Sequence, residues 1–141
     1  MTQLNPYVSF DGNAEEAMNF YASVFGSELA PVMRWSDNPQ CADMPETEKN
    51  KVMHAALPVG DSMIMASDSI GMPGQEYKAG NNFTIAIGPD SRDEADRFFA
   101  RLSDGGNADM PMTDMFWGGY FGSLTDKFGV RWLINYAERN K

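Results

Sequence analysis

Cysteine and histidine are nearly absent from this chain of 141 residues, which holds one of each, Cys41 and His54. A lone cysteine cannot close an internal disulfide, and this points to a reducing compartment. A lone histidine excludes a multi-histidine metal centre within one chain. Cys41 lies in a polar stretch with no histidine nearby in sequence, so nucleophilic chemistry is not expected of it. Basic residues are scarce as well: 11 stand against 20 acidic ones, for a net charge of −9. Such a surface repels phosphate backbones, and no basic tract interrupts it, so no nucleic-acid partner is expected. The acidic excess reads as a solubility device. No apolar run approaches the ~18–20 residues that span a bilayer, so no membrane partner is expected either. The opening residues Met1–Pro6 carry neither the basic segment nor the apolar stretch of a secretory signal. The expected location is cytoplasmic.

What is present is an ordinary globular balance, 43% hydrophobic and 22% charged, with enough length for one domain and one core. An internal repeat organises it. Glu16-Ala17-Met18-Asn19-Phe20-Tyr21-Ala22 recurs as Glu94-Ala95-Asp96-Arg97-Phe98-Phe99-Ala100. Repeats at long spacing set an architecture. Both copies read as amphipathic helices, with Ala14, Ala17, Met18, Tyr21, Ala22 and Phe25 on one face of the first and Ala95, Phe98, Phe99 and Leu102 on one face of the second. Asn13 with Glu16, and Ser91 with Glu94, have capping-box spacing. Gly26 and Gly105 stand where a left-handed residue ends a helix.

Strand-like pieces surround the helices: Leu4–Phe10, Leu29–Trp35, Val52–Val59, Ser62–Ser67, Phe83–Ile87, Ala108–Met112, Tyr120–Thr125 and Val130–Tyr136. Gly60-Asp61 is a two-residue connection suited to a hairpin. Ser36–Asn50 and Ser69–Asn81 lack periodicity and read as loops. The expected fold class is therefore α+β: one domain, 1–141, made of two βαβββ modules at about 1–80 and 81–141. Their strands form a curled, U-shaped mixed sheet around a cavity, with the helices on its outer face.

Several stretches carry a resemblance: Asn5-Pro6-Tyr7 leading to Asp11-Gly12-Asn13-Ala14-Glu15-Glu16-Ala17, Phe20-Tyr21, and Met53-His54-Ala55 before Gly60. The most specific are Phe116-Trp117, Tyr120-Phe121-Gly122 and Thr125-Asp126-Lys127-Phe128-Gly129-Val130-Arg131-Trp132. Over nearly its whole length the chain resembles the vicinal oxygen chelate superfamily of glyoxalases, bleomycin-resistance proteins and dioxygenases, in its PhnB-like branch. The resemblance implies paired modules around a cavity and a homodimer. Some members of the branch carry a quinone-methyltransferase label, but no glycine-rich turn follows a strand here as a nucleotide cofactor would need. The resemblance also places four metal-ligand positions near Pro6, Met65, Asn82 and Leu133. None is a histidine or a carboxylate, so no metal and no other cofactor is expected.

Alternation places Met63, Met65 and Ser67 on the cavity face, with Ile64 and Ala66 toward the helices. It likewise points Arg131, Leu133 and Asn135 inward and Trp132 and Ile134 toward the helix side. Asn82 joins the cavity set through the resemblance. Phe116, Trp117 and Tyr120 flank Gly118-Gly119 and either stack on a planar ligand or close the core or a dimer seam. His54 is the catalytic candidate, as a general base, against a structural role in its strand. Asp68 and Asp114 are candidate ligand contacts or turn residues; Asp126 reads as a turn-shaping residue. The reading drawn from these residues is a metal-independent protein that binds a small organic molecule, its reaction unknown. The alternatives are a metal-dependent glyoxalase-type lyase, isomerase or dioxygenase, and a metal-free acid–base enzyme using His54.

Overall fold

A computed structural model describes residues 2–41, 43–70 and 76–137. The order β-α-β-β-β occurs twice, and the chain divides into two compact units, Met1–Lys78 and Ala79–Lys141. The α+β class and the paired modules expected from the repeat are what is found, each module building one four-stranded mixed sheet.

In the first unit, β1 (Tyr7–Phe10), α1 (Ala14–Phe25), β2 (Met33–Arg34), α2 (Glu46–Lys49), β3 (Val52–Val59) and β4 (Ser62–Asp68) give the sheet order β1-β4-β3-β2. The β1 strand runs parallel to β4 and the other pairs are antiparallel. Apolar residues three and four apart put Ala14, Ala17, Met18, Tyr21 and Val24 of α1 on one buried face. Beneath them lie Phe10, Ala55, Leu57, Ile64 and Ala66, also buried. Complete burial of each larger apolar side chain stabilises by about 1.5–3 kcal/mol. Gly60-Asp61 joins β3 to β4 as expected. Gly60 sits at φ +57°, and no described non-glycine residue has positive φ, the pattern of a II′ hairpin turn.

The second unit comprises β5 (Ile85–Ile87), α3 (Arg92–Ser103), β6 (Asn107–Asp114), β7 (Gly119–Thr125) and β8 (Arg131–Ala137), in the sheet order β5-β8-β7-β6. Its helix buries Ala95, Phe98 and Leu102, and its sheet buries Leu124, Trp132 and Ile134. The β6 strand is an edge, which is where a strand tolerates Pro111.

Several expectations need correction. The strand expected over Leu29–Trp35 is reduced to Met33–Arg34. Pro31 has no N–H to give the ladder, although Ala30 still donates to the Ala56 carbonyl at 3.2 Å. The loop expected over Ser36–Asn50 contains α2 and two 3-10 turns, Trp35–Asp37 and Pro39–Cys41. Asn13 occupies the α1 N-cap position but its side chain makes no capping bond; Asp68 caps instead, as described below. The left-handed residue expected after α3 is found: Gly105 stands at φ +79°, one residue beyond the extended Asp104, in a turn closed by Gly106 N–H to the Ser103 carbonyl at 2.9 Å. Ser91 does cap α3, accepting from the Glu94 amide at 3.0 Å, while Glu94 reaches back to Asp90 rather than to Ser91. Residues 71–75 of the loop expected after Ser69 lie outside the described residues, as does the side chain of Cys41.

Candidate functional site

Each sheet has one face covered by its helix, so chemistry that needs solvent or ligand falls to the other. On β4, Ile64, Ala66 and Asp68 are buried toward the helix while Met63, Met65 and Ser67 face the open side. Strand register extends that face sideways. Tyr7 pairs with Met65 and Ser9 with Ser67 on β1, and Ala56 pairs with Met65 on β3. His54 joins the same face, its ring 6.0 Å from that of Tyr7 and tilted by 35°.

A cavity of about 430 Å³ opens at the Ser67 end of this face, against Ser9, Trp35, Ser69, Ile70, Tyr77 and Lys78. Small-molecule sites run from about 300 to 1,000 Å³. The indole Nε1 of Trp35 is buried without a hydrogen-bond partner among the described residues. Asp68 and Glu76 also border the cavity, but the Asp68 carboxylate is committed elsewhere. Its Oδ1 accepts from the Gly12 and Ala14 amides at 3.0 and 2.9 Å, and its Oδ2 from the Val52 amide at 2.9 Å. It ties the start of α1 to the start of β3, so its place in the structure is that of a helix cap.

Of the residues singled out in the sequence, Ser67 and Asp68 line this cavity, and Met63, Met65 and His54 share the sheet face of Ser67. Ser9 was within reach of the same alternation. Tyr77 was not, because it comes from an aperiodic segment, and Trp35, expected to close the strand Leu29–Trp35, stands instead in a 3-10 turn.

The second sheet divides the remaining candidates. Leu133 faces the open side between Ala86 and Ser123. Asn82 is exposed ahead of β5, and the Arg131 guanidinium donates to the neighbouring Asn81 carbonyl. Phe116 and Trp117 form the tip of the β6–β7 hairpin, where Gly118 N–H donates to the Met115 carbonyl at 3.0 Å. Phe116 stands almost wholly in solvent. Trp117 folds back toward the open face, edge-on to Phe121 with ring centroids 6.3 Å apart. Gly119 makes this possible: a Cβ there would stand 1.9 Å from the Trp117 ring and 2.8 Å from Asn135 Oδ1. That Oδ1 is buried and has no partner among the described residues. An orphaned buried acceptor costs about 1–3 kcal/mol.

Tyr120 turns the other way, toward α3. Its hydroxyl donates to Asp96, and the Arg92 guanidinium lies 3.9 Å over its ring while gripping Asp114 at 2.8 and 3.1 Å. The hydrogen bonds from Arg92 hold the Asp114 carboxyl below its ordinary value. The bond to Asp96, reinforced by partial burial, pushes the Tyr120 phenol up. A depressed carboxylate stabilises above its unfolded pKa, and that contribution disappears as pH falls through the folded value. The pair is solvent-exposed and contributes little to stability, so the readout is the Asp114 carboxyl carbon shift. Arg92→Gln should return its titration midpoint to the ordinary carboxylate value. An unchanged midpoint would show that the pair does not form in solution.

The four positions that the resemblance offers to a metal do not fit one. Proline and leucine side chains hold no donor, a thioether is a soft ligand, and Asn82 supplies one weak carbonyl. Among the described residues, no three of His, Cys, Asp and Glu gather around a common point.

Two βαβββ modules, each with a helix on one face of its sheet and an open opposite face, give the chain a glyoxalase-like fold. The family model described as 3-demethylubiquinone-9 3-methyltransferase matches residues 2–135, and the chain belongs to that family. It is 30% identical to the protein YjdN of Escherichia coli strain K12 over 96% of both chains. Among solved structures it is similar to the protein PA1353 from Pseudomonas aeruginosa, with 37% identity, coverage of 99% of this chain and 100% of that one, and a TM-score of 0.84. It is also similar to a PhnB protein from Bacillus cereus, at 27% identity, 96% and 100% coverage, and a TM-score of 0.76. A glyoxalase/bleomycin resistance protein/dioxygenase family enzyme from Burkholderia phytofirmans shares the fold at 16% identity, covering 94% and 97% with a TM-score of 0.65.

Proposed function

We propose that this chain binds a small organic molecule without a resident metal, as a homodimer in the cytoplasm. The observation that carries the reading is the cavity of about 430 Å³ over the open face of the first sheet. Its wall sets the polar residues Ser9, Ser67, Ser69, Glu76 and Lys78 against the larger side chains of Trp35, Ile70 and Tyr77, so it offers both groups that orient an organic ligand and surface that covers it. Unsuitable donors at the four family metal positions support metal independence. No helix among the described residues is long and apolar enough to cross a membrane.

Metal analysis of protein purified without a histidine tag or chelator, followed by thermal melting, tests this. The expected result is metal well below one equivalent and no saturable shift with Ni²⁺, Mn²⁺, Fe²⁺ or Zn²⁺. A matching organic ligand at 100 times its Kd should add about 2.7 kcal/mol. Stoichiometric metal, or a large saturable stabilisation by one of these ions, would overturn the reading in favour of a glyoxalase-type lyase, isomerase or dioxygenase. Sedimentation should give twice the mass of the chain.

The contact between His54 and Tyr7 on the open face favours one second reading, acid–base chemistry centred on the imidazole. In that case His54→Ala abolishes turnover and leaves ligand binding measurable.

A further inference from the structure

The open face of the second sheet carries an arrangement that the cavity of the first unit does not account for. Asn135 Oδ1 is buried and has no partner among the described residues, yet it belongs to a strand whose backbone ladder is complete around it: Phe121 pairs with Asn135 and Tyr120 with Tyr136. Buried acceptors in folded proteins normally find a donor, so one left without a donor in a regular strand needs a reason. Beside it the Trp117 ring fills the space that any side chain at position 119 would occupy, and Phe121 meets that ring edge-on. Trp117 nevertheless keeps 49% of its surface in solvent. Half of the ring is already in solvent, and a ligand ring stacked on the indole restores the burial lost when it slides off Gly119 and uncovers the acceptor.

We propose that Trp117, Phe121 and Asn135 form a binding subsite for a planar ring that carries an O–H or N–H donor. The donor hydrogen-bonds to Asn135 Oδ1, and the displaced indole packs on the face of the ligand's ring. Aromatic stacking supplies the affinity, and the otherwise orphaned amide oxygen supplies the selection for a donor. No covalent step is involved. An acidic or neutral ring bearing a hydroxyl fits; an otherwise identical ring with that hydroxyl methylated does not.

Phenol and anisole are the matched probes, read by the indole N–H signals of Trp35, Trp117 and Trp132 in nitrogen-15 NMR spectra of the full chain, assigned with Trp117→Phe. Phenol should shift the Trp117 signal saturably and bind about tenfold more tightly than anisole, the size expected for one restored hydrogen bond to a buried group. Asn135→Leu should reduce that ratio to about one, since it removes the acceptor that distinguishes a hydroxyl from a methoxyl group. Gly119→Ala should shift the Trp117 signal before any probe is added. Equal affinity of the two probes for the natural chain overturns the proposal with no variant needed. So does a phenol response confined to Trp35, or a phenol preference that survives Asn135→Leu.

Discussion

Asp68→Ala should lower the unfolding free energy by about 3–5 kcal/mol, because it orphans two fully buried amides, each costing about 1–3 kcal/mol, and a third that is partly buried. The amides are those of Ala14, Val52 and Gly12, and the carboxylate that serves them is 4% exposed. Among the described residues no other polar side chain meets these three amides, so the loss is not compensated locally. With domain stabilities of about 5–15 kcal/mol, this is a large fraction of the total. At about 2–4 °C per kcal/mol for a chain of this size, the melting temperature should fall by roughly 10–15 °C. Asp68→Asn should fall between the two. Its amide oxygen can still accept from Gly12 and Ala14, but its NH₂ then faces the Val52 N–H, donor against donor. Urea unfolding of the three proteins gives the ordering, and hydrogen exchange at Ala14 and Val52 gives the place. A Asp68→Ala protein within 1 kcal/mol of the parent would show that the carboxylate does not hold the start of α1.

That same residue shows why part of the molecule was legible in the sequence and part was not. Periodicity and local turn chemistry were enough for α1, α3 and the β3–β4 hairpin, because everything that specifies them lies within a few neighbouring residues. Gly60-Asp61 sits between two alternating runs, and Val59 does pair with Ser62. The α1 cap was misplaced for the opposite reason. Asn13 satisfied the local pattern, but a charged carboxylate delivered by β4, 54 positions from Ala14, takes the amide instead. A buried charge with fixed geometry outcompetes a neutral amide on an exposed turn.

The candidate sites divide along the same line. Alternation correctly separated Met63, Met65 and Ser67 from Ile64 and Ala66, and Leu133 and Asn135 from Trp132 and Ile134. It could not find Tyr77, which enters the cavity from a segment without periodicity, or Trp35, which leaves the expected strand for a 3-10 turn. It also could not show that Trp117 and Tyr120, three residues apart, go to opposite faces of one sheet. That outcome depends on the hairpin tip closed at Gly118 and on the missing Cβ at Gly119, features of the backbone in space. The resemblance reached the fold through the stretch from Thr125 to Trp132. The structure gives that stretch a physical reason, since Asp126 stands at its centre.

Trp132→Ala should destabilise the chain by about 4–6 kcal/mol, the loss of a fully buried aromatic at about 3–5 kcal/mol plus the hydrogen bond its indole gives to a buried carboxylate. The ring is 1% exposed, among the largest fully buried side chains, and its Nε1 donates to Asp126 Oδ2 at 2.8 Å. Asp126, itself 3% exposed, uses Oδ1 to accept from the Phe128 and Val130 amides at 2.8 and 3.0 Å, which shapes the turn into β8. One carboxylate thus ties the turn to the core tryptophan. Trp132→Phe separates the two contributions: it keeps most of the apolar volume, removes the donor, and should cost about 1.5–3 kcal/mol, as expected for a hydrogen bond to a charged group. If the bond is what matters, a double-mutant cycle with Asp126→Asn should return a coupling of about 0.5–3 kcal/mol between residues in contact. Additivity within about 0.3 kcal/mol would mean that Trp132 acts through packing alone and that Asp126 serves the turn alone. A large coupling would identify the link between them as the reason an aspartate is needed at the mouth of this turn, where a serine or asparagine could cap the backbone but not reach the indole with a second full acceptor.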